Sequence, residues 1–412
     1  MNAQVSFLEG TLSLIHIPVD LYPNLLQPIL QVLLPPSQDT RQSITDGITV
    51  DNHKHGFLNI SVTPIECSIV CNSAWAKSVF EPAIQRLPKD RAKTVAIAKD
   101  TYAALSVSGA GVDAGSRVAD LTSPLAMANI PIFFITTYYS DFILVPDKDR
   151  QAVITTLLAK GFVFVEDDQS QLVSRDPSPT TTSHPHGFDF DPSHSRAPSQ
   201  GGEPPSPHPS SVDDLQERTF ALLRRRNVTP HIEPDLVLVH CTGIRGAGTQ
   251  HPHHHPSASS ITRSRGPNGS RRGSAKTIAG PAWVDTVDTK LYTGIVAALV
   301  AQPRFLSVSL APDDNPPSLL LDRALLPLFG DTLVGPVDGA LVPIFLDLAD
   351  LPFEATGIVS GVAGRLVRQL RMEDGAELSY LSTARAGAVI LSSEHAGVAL
   401  GILGPLLGGG GV

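Results

Sequence analysis

Two stretches of this chain carry side chains suited to holding a ligand. "FEATGIVSG" places Phe353 and Glu354 just before Thr356, Gly357, Ile358 and Val359, which open a helix. A helix start presents unpaired N–H groups and the positive end of its dipole, an arrangement that suits a carboxylate. Gly357 permits close approach of a ligand. The same residues also read as an ordinary helix start with Thr356 as its cap. "ITTYYSDFILVPDKD", residues 135–149, reads as a buried strand interrupted by hydroxyls and one carboxylate. Ser140-Asp141 is good turn chemistry, so the polar centre reads as a strand reversal.

Other candidate chemistry is weaker. "GAGVDA" (109–114) matches a dinucleotide fingerprint, but a tight hairpin follows where a parallel crossover is needed. Cys67 and Cys71 stand four apart with no second ligand pair at zinc-finger spacing, and Cys241 is distant. They read as buried thiols in a reducing, cytoplasmic setting. "HPHHHP" (251–256) lies in low-complexity sequence, where metal affinity is incidental. Ser274 in "RRGS" resembles a basophilic kinase site, and Ser178 and Ser206 each precede proline, so these three are candidate phosphorylation sites. The chain holds no nucleophile elbow, P-loop, zincin or kinase motif. The expectation is a protein that is not an enzyme and needs no cofactor or metal.

The elements around these residues follow from pattern. Hydrophobic residues make up 42% of the 412 positions, enough for sizeable cores, and the net charge of −9 argues against a nucleic-acid binder. The N-terminus lacks the basic region of a signal peptide, and no uncharged apolar run is long enough for a membrane span. From 98 to 166 the order is strand (101–109), helix (115–129, containing Pro124), two strands (130–146), helix (148–162) and strand. This β-α-β-β-α-β order is the ferredoxin-like α+β unit. The order recurs over 338–405: strand (340–352), helix (356–370), two strands (376–393) and a final helix (394–403). Setting Thr137 on Thr383 aligns "ITTYYSDFILV" with "LSTARAGAVIL", an internal repeat. Residues 1–97 and 215–337 hold further strand and helix candidates. The expectation is four tandem units in two similar halves. A disordered linker (167–214), a disordered insertion (about 243–276) and a flexible glycine tail (406–412) complete the chain.

"SRVADLTSPLAMANIPIFFITTYYSDFILV" resembles the second ACT domain of the CASTOR family of cytosolic arginine sensors. "FEATGIVSGVAGRLV" with "LSTARAGAVIL" is similar to the fourth. The resemblance implies four ACT domains per protomer, a homodimer, and an amino acid held between the second and fourth domains. It also implies control of a GATOR-type complex in TOR signalling. Carried over residue by residue, it implies ligand contacts at Ile130, Pro131, Ile132, Phe353, Glu354, Thr356, Gly357, Ile358, Val359, Ser382, Thr383 and Ala384. Partner contacts fall at Tyr138, Tyr139 and Asp141, where exposed tyrosines would serve as anchors.

The chain departs from the family at Ala355 and Gly387, where the family has acids, and at Ala384, where it has an aromatic. Pro131 also lacks an N–H. A buried guanidinium without a charged partner is costly, so arginine is disfavoured within an otherwise amino-acid-binding reading. Two alternatives stand beside it: a scaffold that has lost its ligand, and a regulatory subunit of an amino-acid biosynthetic enzyme.

Overall fold

The computed structural model describes residues 4–34, 56–108, 116–164, 209–244, 287–312, 315–352, 354–370 and 378–408. Phe353, Ser178, Ser206, Ser274, "GAGVDA" and "HPHHHP" lie outside them, as does most of the expected linker and insertion.

The strands form two large, mainly antiparallel sheets, joined at their corners by the pairs Leu12↔Tyr102 and Leu238↔Leu341 into one closed array. Across the first, the order is Ala96–Ile97, Leu12–Pro18, Glu66–Asn72, Leu58–Val62, Leu306–Leu310, Ser318–Asp322, Leu238–Gly243 and Leu333–Val334. Across the second it is Val163–Phe164, Gln4–Phe7, Tyr102–Ser108, Asp141–Pro146, Phe133–Thr136, Ser379–Ser382, Ala386–Ser392, Leu341–Asp347 and Pro230–Ile232. Each half of the first sheet has the ferredoxin-like strand order, with the short last strand beside the first.

Period-two alternation divides each strand between two cores. In Leu12–Pro18, Ile15 and Ile17 face a helical layer, while Leu12 and Leu14 face the other sheet. One apolar core fills the space between the sheets, uniting Leu14, Val70 and Leu320 with Phe142, Phe345 and Ile390. Helices Leu26–Leu33 and Thr289–Val300 cover the first sheet, burying Ile29, Val32 and Ile295. Helices Arg117–Met127, Arg150–Ala159, Val212–Arg225, Ile358–Leu370 and Ser393–Leu407 cover the second.

The expected hairpins and helices form at their places. Pro124 sits inside its helix, one turn before the end at Met127. Strand pairing, however, crosses the expected boundaries at 97 and 337. Gln4–Phe7 does not join the neighbouring first unit; it pairs with Tyr102–Ser108 in the other sheet. Helix Val212–Arg225 starts inside the expected linker, capped by Ser211 whose Oγ accepts from the Asp214 N–H. Its companion strand Pro230–Ile232 pairs with Leu341–Asp347 in the second sheet. The last helix continues past 403 to Leu407, taking in the first two residues of the expected tail, and Gly408 at φ 85° closes it; residues 409–412 lie outside the described residues.

The two seams at mid-sheet differ. In the first sheet, Leu306–Leu310 and Leu58–Val62 run in full register. Asn59 Nδ2 donates there to the hydroxyls of Ser307 and Ser309 at 3.1 and 3.0 Å. In the second sheet the bridge is the single pair Leu381↔Ile135. Side-chain hydroxyls extend it: the Phe134 N–H donates to Ser382 Oγ at 2.9 Å and the Tyr380 N–H to Thr136 Oγ1 at 3.0 Å. The looser seam is the one that carries the candidate site.

Candidate ligand site

Above the second seam, helices Arg117–Met127 and Ile358–Leu370 pack together, with the Ser123 and Ser360 hydroxyls 2.9 Å apart. Small residues let the helices approach. The start of the second helix meets the strand ends over a cavity of about 60 Å³. Its walls are Ile132 and Phe133 from one strand, Gly357, Ile358 and Val359 from the helix start, and Tyr380, Ser382, Thr383, Ala384 and Ala386 from the hairpin. Leu348, Leu351, Pro352 and Ala355 close it.

The structure thus gathers seven of the expected ligand residues: Ile132, Gly357, Ile358, Val359, Ser382, Thr383 and Ala384. Gly357 has φ 82°, a left-handed conformation that glycine adopts freely. Its carbonyl accepts from the Gly361 N–H at 2.7 Å and starts the helix. The N–H groups of the first turn have no partner within the helix, and Gly357, Ile358 and Val359 line the cavity.

Three expected contacts do not line the cavity: Ile130 is buried in the helical core, and Pro131 and Thr356 lie outside the walls. Glu354 is exposed, and its charge acts on Tyr102 and Lys148 instead. It does not stand in for the missing acids. Thr383 contributes to the wall, but its hydroxyl points to the first sheet and donates to Glu66 Oε1 at 2.6 Å. Strand alternation explains this: Tyr380 and Ser382 share the helix-facing side, and Leu381 and Thr383 take the other.

Sequence reasoning missed Tyr380. It is 1% exposed and lines the cavity, and its hydroxyl, itself closed off from water, has no hydrogen-bond partner among the described residues. A Cβ on Gly387 would lie 2.4 Å from that hydroxyl, so the phenol occupies the space a side chain at 387 would need. Burial pushes the phenol well above its ordinary pKa, so it stays a neutral donor.

It also missed Glu66, which clamps the hairpin from the other sheet. Its carboxylate accepts from Thr383 Oγ1 and, at 2.5 Å, from the Arg385 N–H, and it meets His16 Nδ1 at 2.6 Å. Beside it, Ser68 Oγ accepts from the Ala384 N–H at 3.1 Å.

The matching reversal over 137–140 is clamped in the same way. The Tyr138 N–H donates to Ser318 Oγ at 2.8 Å, and the Tyr138 ring meets His240 edge-on at 5.7 Å. Asp141 is 2% exposed and pairs with Arg117 Nε at 2.5 Å. This corrects the expectation that Asp141 faces a partner. Tyr138 is partly buried, and of the three expected partner residues Tyr139 alone, at 47%, is well exposed.

Burial, then the Arg117 charge, holds His240 down from 6.5 to about 4. The imidazole is therefore neutral in the folded protein and takes up a proton more readily when unfolded. Stability attributable to His240 is complete above pH 6.5 and falls as pH drops toward 4, by about 3 kcal/mol in all. His240→Phe is expected to flatten that part of the acid slope. Urea unfolding at stepped pH checks this; an unchanged slope would exclude His240 as its source.

Among the described residues, no group of three His, Cys, Asp or Glu could hold a metal ion, and no helix is long and apolar enough to cross a membrane. Cys67, Cys71 and Cys241 are buried free thiols, as expected, and burial pushes all three up.

The family model for the ACT domain matches residues 97–159. A Homo sapiens protein described as "Cytosolic arginine sensor for mTORC1 subunit 1" is 26% identical over 210 residues. The match covers 50% of this chain and 56% of that protein, so the chain aligns with little more than half of its relative. Among solved structures, an Agrobacterium tumefaciens protein aligns at 19% identity over 40% of this chain and 93% of its own, with a TM-score of 0.26. Aspartate kinase from Synechocystis aligns at 11% identity over 99% of this chain and 57% of its own, with a TM-score of 0.29. Scores this low carry no structural argument. The similarity to an ACT domain is thus located at residues 97–159, the part of the chain that holds the strand Tyr102–Ser108, the helix Arg117–Met127 and the hairpin that follows it.

Proposed function

We propose that this chain is a non-enzymatic regulatory protein that binds an amino acid in the cavity at the second seam and relays its occupancy to a protein partner. The observation that supports this most is the helix start at Gly357–Val359 opening onto a cavity walled by two separate strand pairs. A ligand carboxylate placed there meets first-turn N–H groups. Because the walls come from residues 132–133 on one side and 348–386 on the other, occupancy favours one packing of the two halves over another.

The same reading takes the chain as four ACT-like units, divergent from the CASTOR family, acting in the cytoplasm. The relative's name motivates a link to TOR signalling through a GATOR-type partner, and a homodimer. Arginine is a poor fit. No carboxylate lines the cavity among the described residues, and a guanidinium buried there would lack its counter-charge.

Thermal-shift and calorimetric titration of the full chain against the common amino acids tests the proposal. The expected result is saturable stabilisation by at least one of them. A ligand at a hundred times its Kd adds about 2.7 kcal/mol, well within detection. No stabilisation by any amino acid would favour the rival reading, a scaffold that keeps protein contacts alone. That rival draws support from Ala355 and Gly387, where the resembling family has acids.

A further inference from the structure

We infer that helix Val212–Arg225 is a strap: it lies across helices from both sides of the second seam, fixes the start of helix Ile358–Leu370, and opens as a unit while the sheets stay folded. This goes beyond the proposed function and does not depend on what the cavity holds.

The strap stands outside the repeated β-α-β-β-α-β order. It packs on Arg117–Met127 from one half and on Ile358–Leu370 and Ser393–Leu407 from the other. Its seat is made of glycine. A Cβ on Gly357, Gly361 or Gly364 would approach Leu215 Cδ1, Thr219 Cγ2 or Gln216 Nε2, respectively, to 2.8 Å. That is closer than packed atoms come, so the helix sits this deep because three side chains are missing beneath it. Thr219 Oγ1 lies 3.3 Å from the Gly357 carbonyl and 2.9 Å from that of Leu215, and its one proton is shared between them. The Gly357 carbonyl is the one that starts the seam helix by accepting from the Gly361 N–H. The strap therefore holds the residue whose left-handed backbone sets the first turn of that helix.

The strap is also a weakly held layer. Five of its 14 residues are buried, and two of these, Gln216 and Thr219, are polar. Gln216 is 1% exposed. Its Oε1 accepts from Arg368 Nη2, while its Nε2, against Gly364, has no partner among the described residues. A buried donor without an acceptor weakens the layer that carries it. Arg368 also pairs with Asp213 at 2.6 Å, but these side chains are 48% and 81% exposed, where such pairs contribute little. The strand Ala386–Ser392, by contrast, is paired on both sides and buries apolar residues on both faces. Local opening starts in layers with few buried apolar contacts.

The test is amide hydrogen exchange on the full chain. In wild type, protection over 216–225 is expected to be at least about 100-fold lower than over Ala386–Ser392. Gly361→Ala drives a methyl group into Thr219 and should lower strap protection by a further factor of about ten. Gln216→Met removes the unpartnered amide and should raise it roughly threefold. In each variant, the amides of 361–363 should follow the strap in the same direction. Alanine by itself favours helix, so lower protection at 361–363 in Gly361→Ala reports the displaced strap. Strap amides as protected as the strand in wild type would overturn opening as a unit. Unchanged protection at 361–363 while that of the strap changes would overturn its hold on the helix start. Should Gly361→Ala fail to fold, wild type and Gln216→Met decide both points.

Discussion

Replacing Asp141 with alanine is expected to cost about 3 kcal/mol of folding stability. Breaking a buried ion pair by deleting one partner typically costs 3–5 kcal/mol, because the other charge is left without its counter-ion. Asp141 is 2% exposed, whereas the Arg117 side chain is 35% exposed and can partly rehydrate, which places the expected loss at the low end. The carboxylate also fixes geometry. Asp141 pairs with Thr136 on one side and Val107 on the other, so it sits inside the ladder at the start of its strand. Its charge draws Arg117, the first residue of its helix, onto that strand. Asp141→Asn keeps the shape and loses the charge, and should cost less. The measurement is the urea midpoint at constant slope. A loss under about 1 kcal/mol, with reduced capture of a protein partner, would restore the docking role that sequence suggested for this residue.

That reversal of expectation marks what was legible in the sequence. Local pattern gave the strand–reversal–strand over 133–146 and its repeat over 379–392, because alternation and turn chemistry are properties of neighbouring residues. It also placed the helix start at Gly357, while the wall residues 382–384 were implied only by the family resemblance. What pattern did not contain was the partner of each strand. Gln4–Phe7 is a short apolar strand whose own sequence fits either sheet; only the fold sends it to Tyr102–Ser108. Asp141 looked like a turn residue beside Ser140, and nothing local announced an arginine arriving from 24 positions earlier. Tyr380 read as one more aromatic in a strand, since an unpaired hydroxyl is visible only once its surroundings are. Glu66 lies in "TPIECSIV", where a single acid beside a turn suggests an exposed position; its partners stand 50 and more than 300 residues away.

Glu66 is also where the second large effect is expected. Glu66→Ala should cost about 4 kcal/mol, within the 3–5 kcal/mol range for a deleted buried charge. The residue is 0% exposed, and its removal strands three groups at once: the Thr383 hydroxyl, the Arg385 N–H and His16. Thr383 has an alternative in the Ala386 carbonyl at 3.2 Å, but the Arg385 N–H loses a close, charge-assisted acceptor. Glu66→Gln keeps one oxygen to accept from both hairpin donors and gives up the charge, so about 1–2 kcal/mol is expected. The site should feel the change beyond global stability. Thr383, Ala384 and Ala386 form one wall of the cavity, and Glu66 with Ser68 holds that reversal onto the first sheet. In Glu66→Ala, amide exchange at Arg385 should rise ahead of exchange in the paired strand Ala386–Ser392, and any amino acid that binds wild type should bind more weakly. In Ser68→Ala the reversal keeps its Glu66 bonds, so a smaller change in the same direction follows. Unfolding curves of Glu66→Ala that overlay wild type would mean the carboxylate bonds do not hold the reversal, and the coupling of the cavity wall to the first sheet would have to come from the apolar core between the sheets alone.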